Sequence, residues 1–139
     1  MTALVPELYV TSLEASLAFY RHLGFTIQYR RPGEGFARIA RGAAELMLEE
    51  PHGRTWLLAP LSRPRGVGVN LTIVTTGVDA LYAELPQGTA VLLPPETKQY
   101  QRATDTVAVR QFVVADPDGY LLRFSETLAI TPARLPAKP

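Results

Sequence analysis

At 139 residues, the chain fits one domain with a core of its own, and an apolar fraction of 47% excludes a disordered polymer. A formal charge of +1 lacks the basic excess of a nucleic-acid binder, and no apolar run is long enough to span a bilayer; neither nucleic acid nor membrane is an expected partner. Cysteine is absent, which removes disulfides, thiolate catalysis and cysteine-rich zinc sites.

The first residues, MTALVPELYV, lack a basic-then-apolar secretion pattern, so a cytoplasmic location is expected. Residues 4–10 read as a strand. Thr11-Ser12-Leu13-Glu14 matches a capping box, with the Thr11 hydroxyl as the cap and Glu14 folding back. Leu13, Leu17 and Tyr20 recur at helical spacing, and Gly24 stops the helix. Residues 25–29, 36–41 and 44–49 read as strands, with Arg30 and Arg31 in a solvated turn. This first module is β-α-β-β-β. Residues 51–66 are rich in Pro, Arg and Gly and form a linker.

The order then repeats. Residues 67–75 read as a strand, and Thr76-Gly77-Val78-Asp79 carries the same cap pattern as Thr11 to Glu14, 65 residues earlier. Val78, Leu81, Tyr82 and Leu85 form a short helical stripe. Residues 90–93 form a strand, 94–106 a long polar loop, and 107–115 and 120–125 two strands joined by the turn Asp116-Pro117-Asp118-Gly119. The expected domain is residues 1–127, with modules at about 4–50 and 67–126. Residues 128–139 read as a Pro-rich, poorly ordered tail.

Strand alternation sorts the side chains. Leu8, Val10, Leu46, Leu48, Leu71, Ile73, Leu122 and Phe124 belong under the helices. The opposite face carries Val5, Glu7, Tyr9, Arg38, Glu45, Met47, Glu49, Asn70, Thr72, Val74, Leu121, Arg123 and Ser125. This mixed face fits either a half-exposed antiparallel sheet or the lining of a ligand cavity.

Leu13-Glu14-Ala15-Ser16-Leu17-Ala18-Phe19-Tyr20, Leu23-Gly24-Phe25 and Asp116-Pro117-Asp118-Gly119-Tyr120-Leu121-Leu122 together resemble the glyoxalase/bleomycin-resistance group, the vicinal oxygen chelate superfamily. The resemblance covers roughly residues 4–126. It implies an α+β fold of two βαβββ modules forming a cupped, incomplete β-barrel, and a homodimer with sites often built at the subunit boundary. Enzymes of the group bind a divalent metal at four cavity positions, which match Val5, Met47, Asn70 and Arg123 here. Val has no lone pair, Met a soft thioether, Asn one weak carbonyl, and Arg a repelling positive charge. No metal and no cofactor is therefore expected. His22, at the end of the first helix, and His52, in the linker, read as surface residues.

No nucleophile constellation is present, so no catalytic residue is assigned. The motif wording is closest to the bleomycin-resistance branch. That branch sequesters a large, cationic, partly aromatic antibiotic. The candidate ligand-binding set is Glu7, Tyr9, Phe36, Arg38, Glu45, Met47, Glu49, Trp56, Asn70, Tyr100 and Arg123. The glutamates suit a cation; Arg38 and Arg123 repel one unless they are paired, and otherwise suit an anionic or zwitterionic ligand. The leading reading is a metal-free protein that binds a small organic molecule, of the antibiotic-sequestering type. Two others stand beside it: a metal-dependent lyase, isomerase or dioxygenase, and a non-catalytic dimeric interaction module.

Overall fold

The computed structural model describes residues 2–133. In chain order the elements are β1 (Glu7–Tyr9), α1 (Leu13–His22), β2 (Thr26–Arg31), a 3-10 turn (Pro32–Glu34), β3 (Phe36–Arg41) and β4 (Ala44–Glu49), then β5 (Asn70–Val74), α2 (Val78–Ala83), β6 (Val91–Gln101), β7 (Asp105–Ala115) and β8 (Leu121–Pro132). Each module builds one four-stranded sheet, in the orders β1-β4-β3-β2 and β5-β8-β7-β6. In both, the first strand lies parallel to the last and the other pairs are antiparallel. The duplication seen in the sequence is thus a duplication of topology.

The apolar set assigned from alternation forms one core spanning both modules. Leu8, Val10, Leu46, Leu48, Ile73, Leu122 and Phe124 are buried, with Leu71 half-buried against them. Tyr20 meets Phe19 and Phe25 edge-on at 5.3 Å, and Phe112 stacks on Phe124 at 5.2 Å. Truncating a ring of this kind to alanine costs about 3–5 kcal/mol.

The helix caps differ from the capping-box expectation. Ser12, not Thr11, is the N-cap of α1, and its side chain accepts from the Ala15 amide at 3.2 Å. Glu14 pairs with Arg30 instead of folding back. The role given to it falls to Glu50, whose Oε1 accepts from the Leu13 amide at 2.9 Å. The second module repeats this solution. Gly77 caps α2 without a side chain, and Glu126 accepts from the Gly77 and Val78 amides at 3.1 and 3.2 Å. In each module an acid from the last strand or just beyond it satisfies the free amides of its helix, where a negative charge is also favoured by the helix dipole.

Two further expectations are corrected. Residues 94–101 are not loop but the outer part of β6, paired with β7 across irregular register. The polar Lys98 and Gln99 face solvent on this edge strand, which is why composition reads as loop. Residues 128–132 likewise continue β8 on β7, with Ile130 opposite Val107 and Pro132 opposite Asp105. Pro is tolerated at that strand end. Residues 134–139 lie outside the described residues.

The linker is pinned to the turn between β7 and β8. Asp118, whose side chain is 1% exposed, accepts from the Thr11 amide at 3.1 Å, the Thr11 hydroxyl at 2.5 Å and Arg63 at 3.2 Å, and lies 3.7 Å from Arg65. Gly119, at φ +98°, passes Pro64 so closely that a Cβ there would sit 2.6 Å from the Pro64 Cβ. The Asp-Pro-Asp-Gly motif therefore serves as a clasp between modules as well as a turn.

Candidate ligand-binding site

An open cleft of about 300 Å³ lies on the first sheet, lined by Glu7, Tyr9, Arg31, Phe36, Met47, Glu49, Arg54 and Trp56. The strands explain the set. Glu7 pairs with Met47 and Tyr9 with Glu49 in the parallel β1–β4 ladder, so all four side chains share one face. Phe36 lies opposite Glu49 and Arg31 opposite Phe36, which extends that face across β3 and β2. The linker supplies the outer wall, and the Trp56 amide donates to the Tyr9 hydroxyl at 3.2 Å. The Trp56 ring remains 79% exposed, which is unusual for a residue of that apolar area.

The charges in the cleft are unequally compensated. Glu7 and Glu49 are diagonal neighbours on one face, close enough for their carboxyl groups to hydrogen-bond. That hydrogen bond first, then partial desolvation and the charge of Glu49, push the Glu7 carboxyl up to about 7, against a lowering by Arg31. Arg31 is itself held at 2.5 Å by Glu34, and its guanidinium lies 3.8 Å from the centre of the Phe36 ring. Arg38 is paired with Glu45 at 2.8 Å, and this hydrogen bond holds the Glu45 carboxyl below its usual range. His52 stands 3.9 Å from Glu49, with its Nδ1 3.0 Å from the Glu50 carbonyl oxygen.

Six of the residues proposed from sequence thus meet in the cleft: Glu7, Tyr9, Phe36, Met47, Glu49 and Trp56. Arg38 and Glu45 share the sheet and neutralise each other beside it. Asn70, Tyr100 and Arg123 belong to the second sheet and do not line this cleft. There, the Arg123 Nε donates to the Thr72 hydroxyl at 2.9 Å, and Tyr100 accepts from the side chain of buried Gln111, which also donates to Glu96.

Arg31 and Arg54 were missed. Placing Arg31 in a solvated turn is corrected by β2 running to residue 31, where the residue faces the cleft. The alternation of Tyr29 and Arg31 on one face was the signal that could have found it. A larger groove, about 430 Å³, runs between α1 and the turns at 86–90 and 115–117. It holds none of the sequence-derived site residues and is walled largely by Ala, Pro and Gly.

The metal chemistry of related enzymes does not fit these residues. The four matching positions remain Val5, Met47, Asn70 and Arg123, and Arg123 has no acidic partner among the described residues. Among those residues no group of three His, Asp or Glu side chains is placed to hold a metal ion. An unpaired guanidinium at one of these positions opposes a cation electrostatically.

Two βαβββ sheets with a parallel first-to-last pairing, and a mixed polar–aromatic cleft on one of them, define a protein of the paired-module, cupped-sheet class. The chain belongs to the glyoxalase/bleomycin resistance protein/dioxygenase superfamily, whose family model matches residues 3–124. Similar solved structures include one described as a conserved domain protein, at 24% identity and TM-score 0.66, covering 92% of this chain and all of that one. TioX from Micromonospora sp. ML1 is 20% identical with TM-score 0.65, over 92% of this chain and all of that one. An integron cassette protein from V. cholerae is 19% identical with TM-score 0.64, over 88% and 91%. At these identities the likeness is one of fold. No curated protein matches.

Proposed function

We propose that this chain is a metal-free binding protein that holds a small organic molecule in the cleft on its first sheet, in the manner of antibiotic sequestration. The observation that carries this reading is the pairing of an exposed Trp56 ring with Tyr9, Phe36, Met47 and two carboxyl groups in one cleft. A few polar groups among aromatic walls suit capture of a planar, charged molecule. The cleft carries charges of both signs, which suits a charged or zwitterionic molecule. Arg38 is neutralised by Glu45 and Arg31 is held by Glu34, so Glu7, Glu49 and the exposed Arg54 face the ligand.

Trp56 is the only tryptophan, so its fluorescence reports on this cleft alone. Titration with bleomycin, phleomycin and other peptide antibiotics should quench or shift that emission. Metal analysis of protein purified without chelator should find no near-stoichiometric Ni, Zn, Mn or Fe; finding one would favour the metal-dependent enzyme.

A second copy of the chain is the proposed partner. Val74, Leu128 and Ile130 are exposed on the second sheet at 75%, 52% and 55%, an apolar surface suited to burial between subunits. Light scattering that gives the mass of a monomer at all accessible concentrations would reject this partner.

A further inference from the structure

We propose that residues 53–62 of the linker form a strap that closes over the filled cleft and lays Leu58 on the ligand as a further binding residue. The proposal rests on the binding reading above and deepens it, adding a contact and limiting the size of the ligand.

Both ends of the linker are held. At its start, the Glu50 amide donates to the Gly35 carbonyl at 2.9 Å, and the Glu50 side chain accepts from the Leu13 amide at 2.9 Å. At its end, the Arg65 amide donates to the Asp118 carbonyl at 2.9 Å, and the Arg65 guanidinium donates to the Tyr9 carbonyl at 2.7 Å. The Tyr120 hydroxyl donates to that same carbonyl at 2.9 Å. Gly66 lies so close to Tyr120 that a Cβ there would sit 2.5 Å from its ring. Between these anchors the chain is barely held. Among the described residues, the Trp56 amide is the one backbone amide of 51–62 that makes a hydrogen bond. All of these residues except Thr55 and Leu61 are exposed. A segment with so few bonds and so little buried surface moves at low cost. Gly53, at φ +57° with open space around it, supplies a hinge where the segment leaves its first anchor.

The strap carries large apolar side chains in water. Trp56 is 79% exposed, Leu57 40% and Leu58 109%. Three adjacent apolar residues left in solvent mark a surface that meets something. They stand at the rim of the cleft, whose outer wall already includes Arg54 and Trp56 from the same segment. Closure without a ligand would take Glu7 and Glu49 out of water with too little charge to offset them, which is costly. A molecule that fills the cleft and brings its own charge removes that cost, and burial of Leu58 and Trp56 then drives closure. A cleft of about 300 Å³ is at the small end of ligand cavities. The strap therefore encloses a small planar ion, and a larger antibiotic enters through a side group of that kind.

The test measures binding and closure separately in the full chain. Benzyltrimethylammonium, benzenesulfonate and phenylalanine serve as cationic, anionic and zwitterionic probes. Calorimetry reports binding, and amide hydrogen exchange reports the strap. A probe that binds should slow exchange across residues 53–62 by about tenfold and shift Trp56 emission to the blue, with residues 63–66 unchanged. Leu58→Ala should weaken that probe about tenfold, the effect of losing one leucine's burial. The same variant should leave urea unfolding unchanged, because Leu58 is fully exposed. Binding with strap exchange unaltered, or with affinity unaltered in Leu58→Ala, overturns the strap and leaves the cleft a binding site. Strap exchange that is slow without any probe and quickens on dilution gives Leu58 to a second copy and overturns it likewise. If calorimetry detects binding of none of the probes, the binding reading falls and the strap with it.

Discussion

The Tyr20 hydroxyl donates to Oδ2 of Asp116 at 2.8 Å, joining the first helix to the last turn across 96 residues of sequence. Both groups are buried, and Asp116 also accepts from the Asp118 and Tyr120 amides at 3.0 and 2.9 Å. Burial raises the Asp116 carboxyl above its ordinary value, and these hydrogen bonds pull the other way. Tyr20→Phe removes one of the three donors and leaves a buried carboxylate less satisfied. The expected loss is about 1–3 kcal/mol in urea unfolding at neutral pH. The loss should shrink in acid, below the ordinary carboxylate value of 3.8, where Asp116 is protonated both folded and unfolded.

Asp118 binds the modules more tightly still. Its carboxylate takes the Thr11 amide and hydroxyl and faces Arg63 and Arg65, and Arg65 is itself only 13% exposed. Asp118→Ala leaves that arginine buried beside no anion. A loss of about 3–5 kcal/mol is expected by denaturant unfolding, the usual cost of breaking a buried pair from one side. Arg63→Ala, at a side chain 60% exposed, should cost well under 1 kcal/mol by the same measurement.

These clasps show what could be read before the fold was known. The repeat of Thr11–Ala15 in Thr76–Ala80 and the alternation of Leu46 and Leu48 or Leu122 and Phe124 fix elements through local periodicity, which needs no knowledge of neighbours. The cleft face followed for Glu7, Tyr9, Met47 and Glu49 for the same reason. What local pattern cannot hold is contact between distant residues. Glu50 replacing Glu14 at the helix start, Thr11 turning to Asp118, and Arg31 folding over Phe36 all depend on which strands become neighbours. The outer part of β6 was misread because an edge strand facing water has the composition of a loop.

The raised Glu7 carboxyl makes a prediction about stability independent of any ligand. The folded state holds this proton up to about 7, whereas an unfolded glutamate releases it near 4.5. As pH rises through that window, the unfolded chain loses its proton first, so the group's contribution to stability falls and is lowest above pH 7. Glu7→Gln imitates the protonated form. The variant should melt higher than the wild type at pH 8, with the difference fading towards pH 4, as read by thermal unfolding across pH. An equal difference at both ends would place the cause outside this carboxyl.

Trp56 allows binding and stability to be separated in a single residue. The residue is 79% exposed, and its hydrogen bond to Tyr9 is made by the backbone amide, which survives truncation. Trp56→Ala should therefore change unfolding free energy by less than about 0.5 kcal/mol, as for other surface positions. Its effect on a bound aromatic cation should be larger, because a ring stacked on the ligand contributes about 1 kcal/mol, or roughly fivefold in affinity. Since the variant has no tryptophan, calorimetry replaces fluorescence as the readout. Unchanged affinity would remove Trp56 from the ligand wall and leave the carboxyl pair with Tyr9 and Phe36. A large loss of stability would show instead that the ring packs on the linker, and that its open face belongs to the fold.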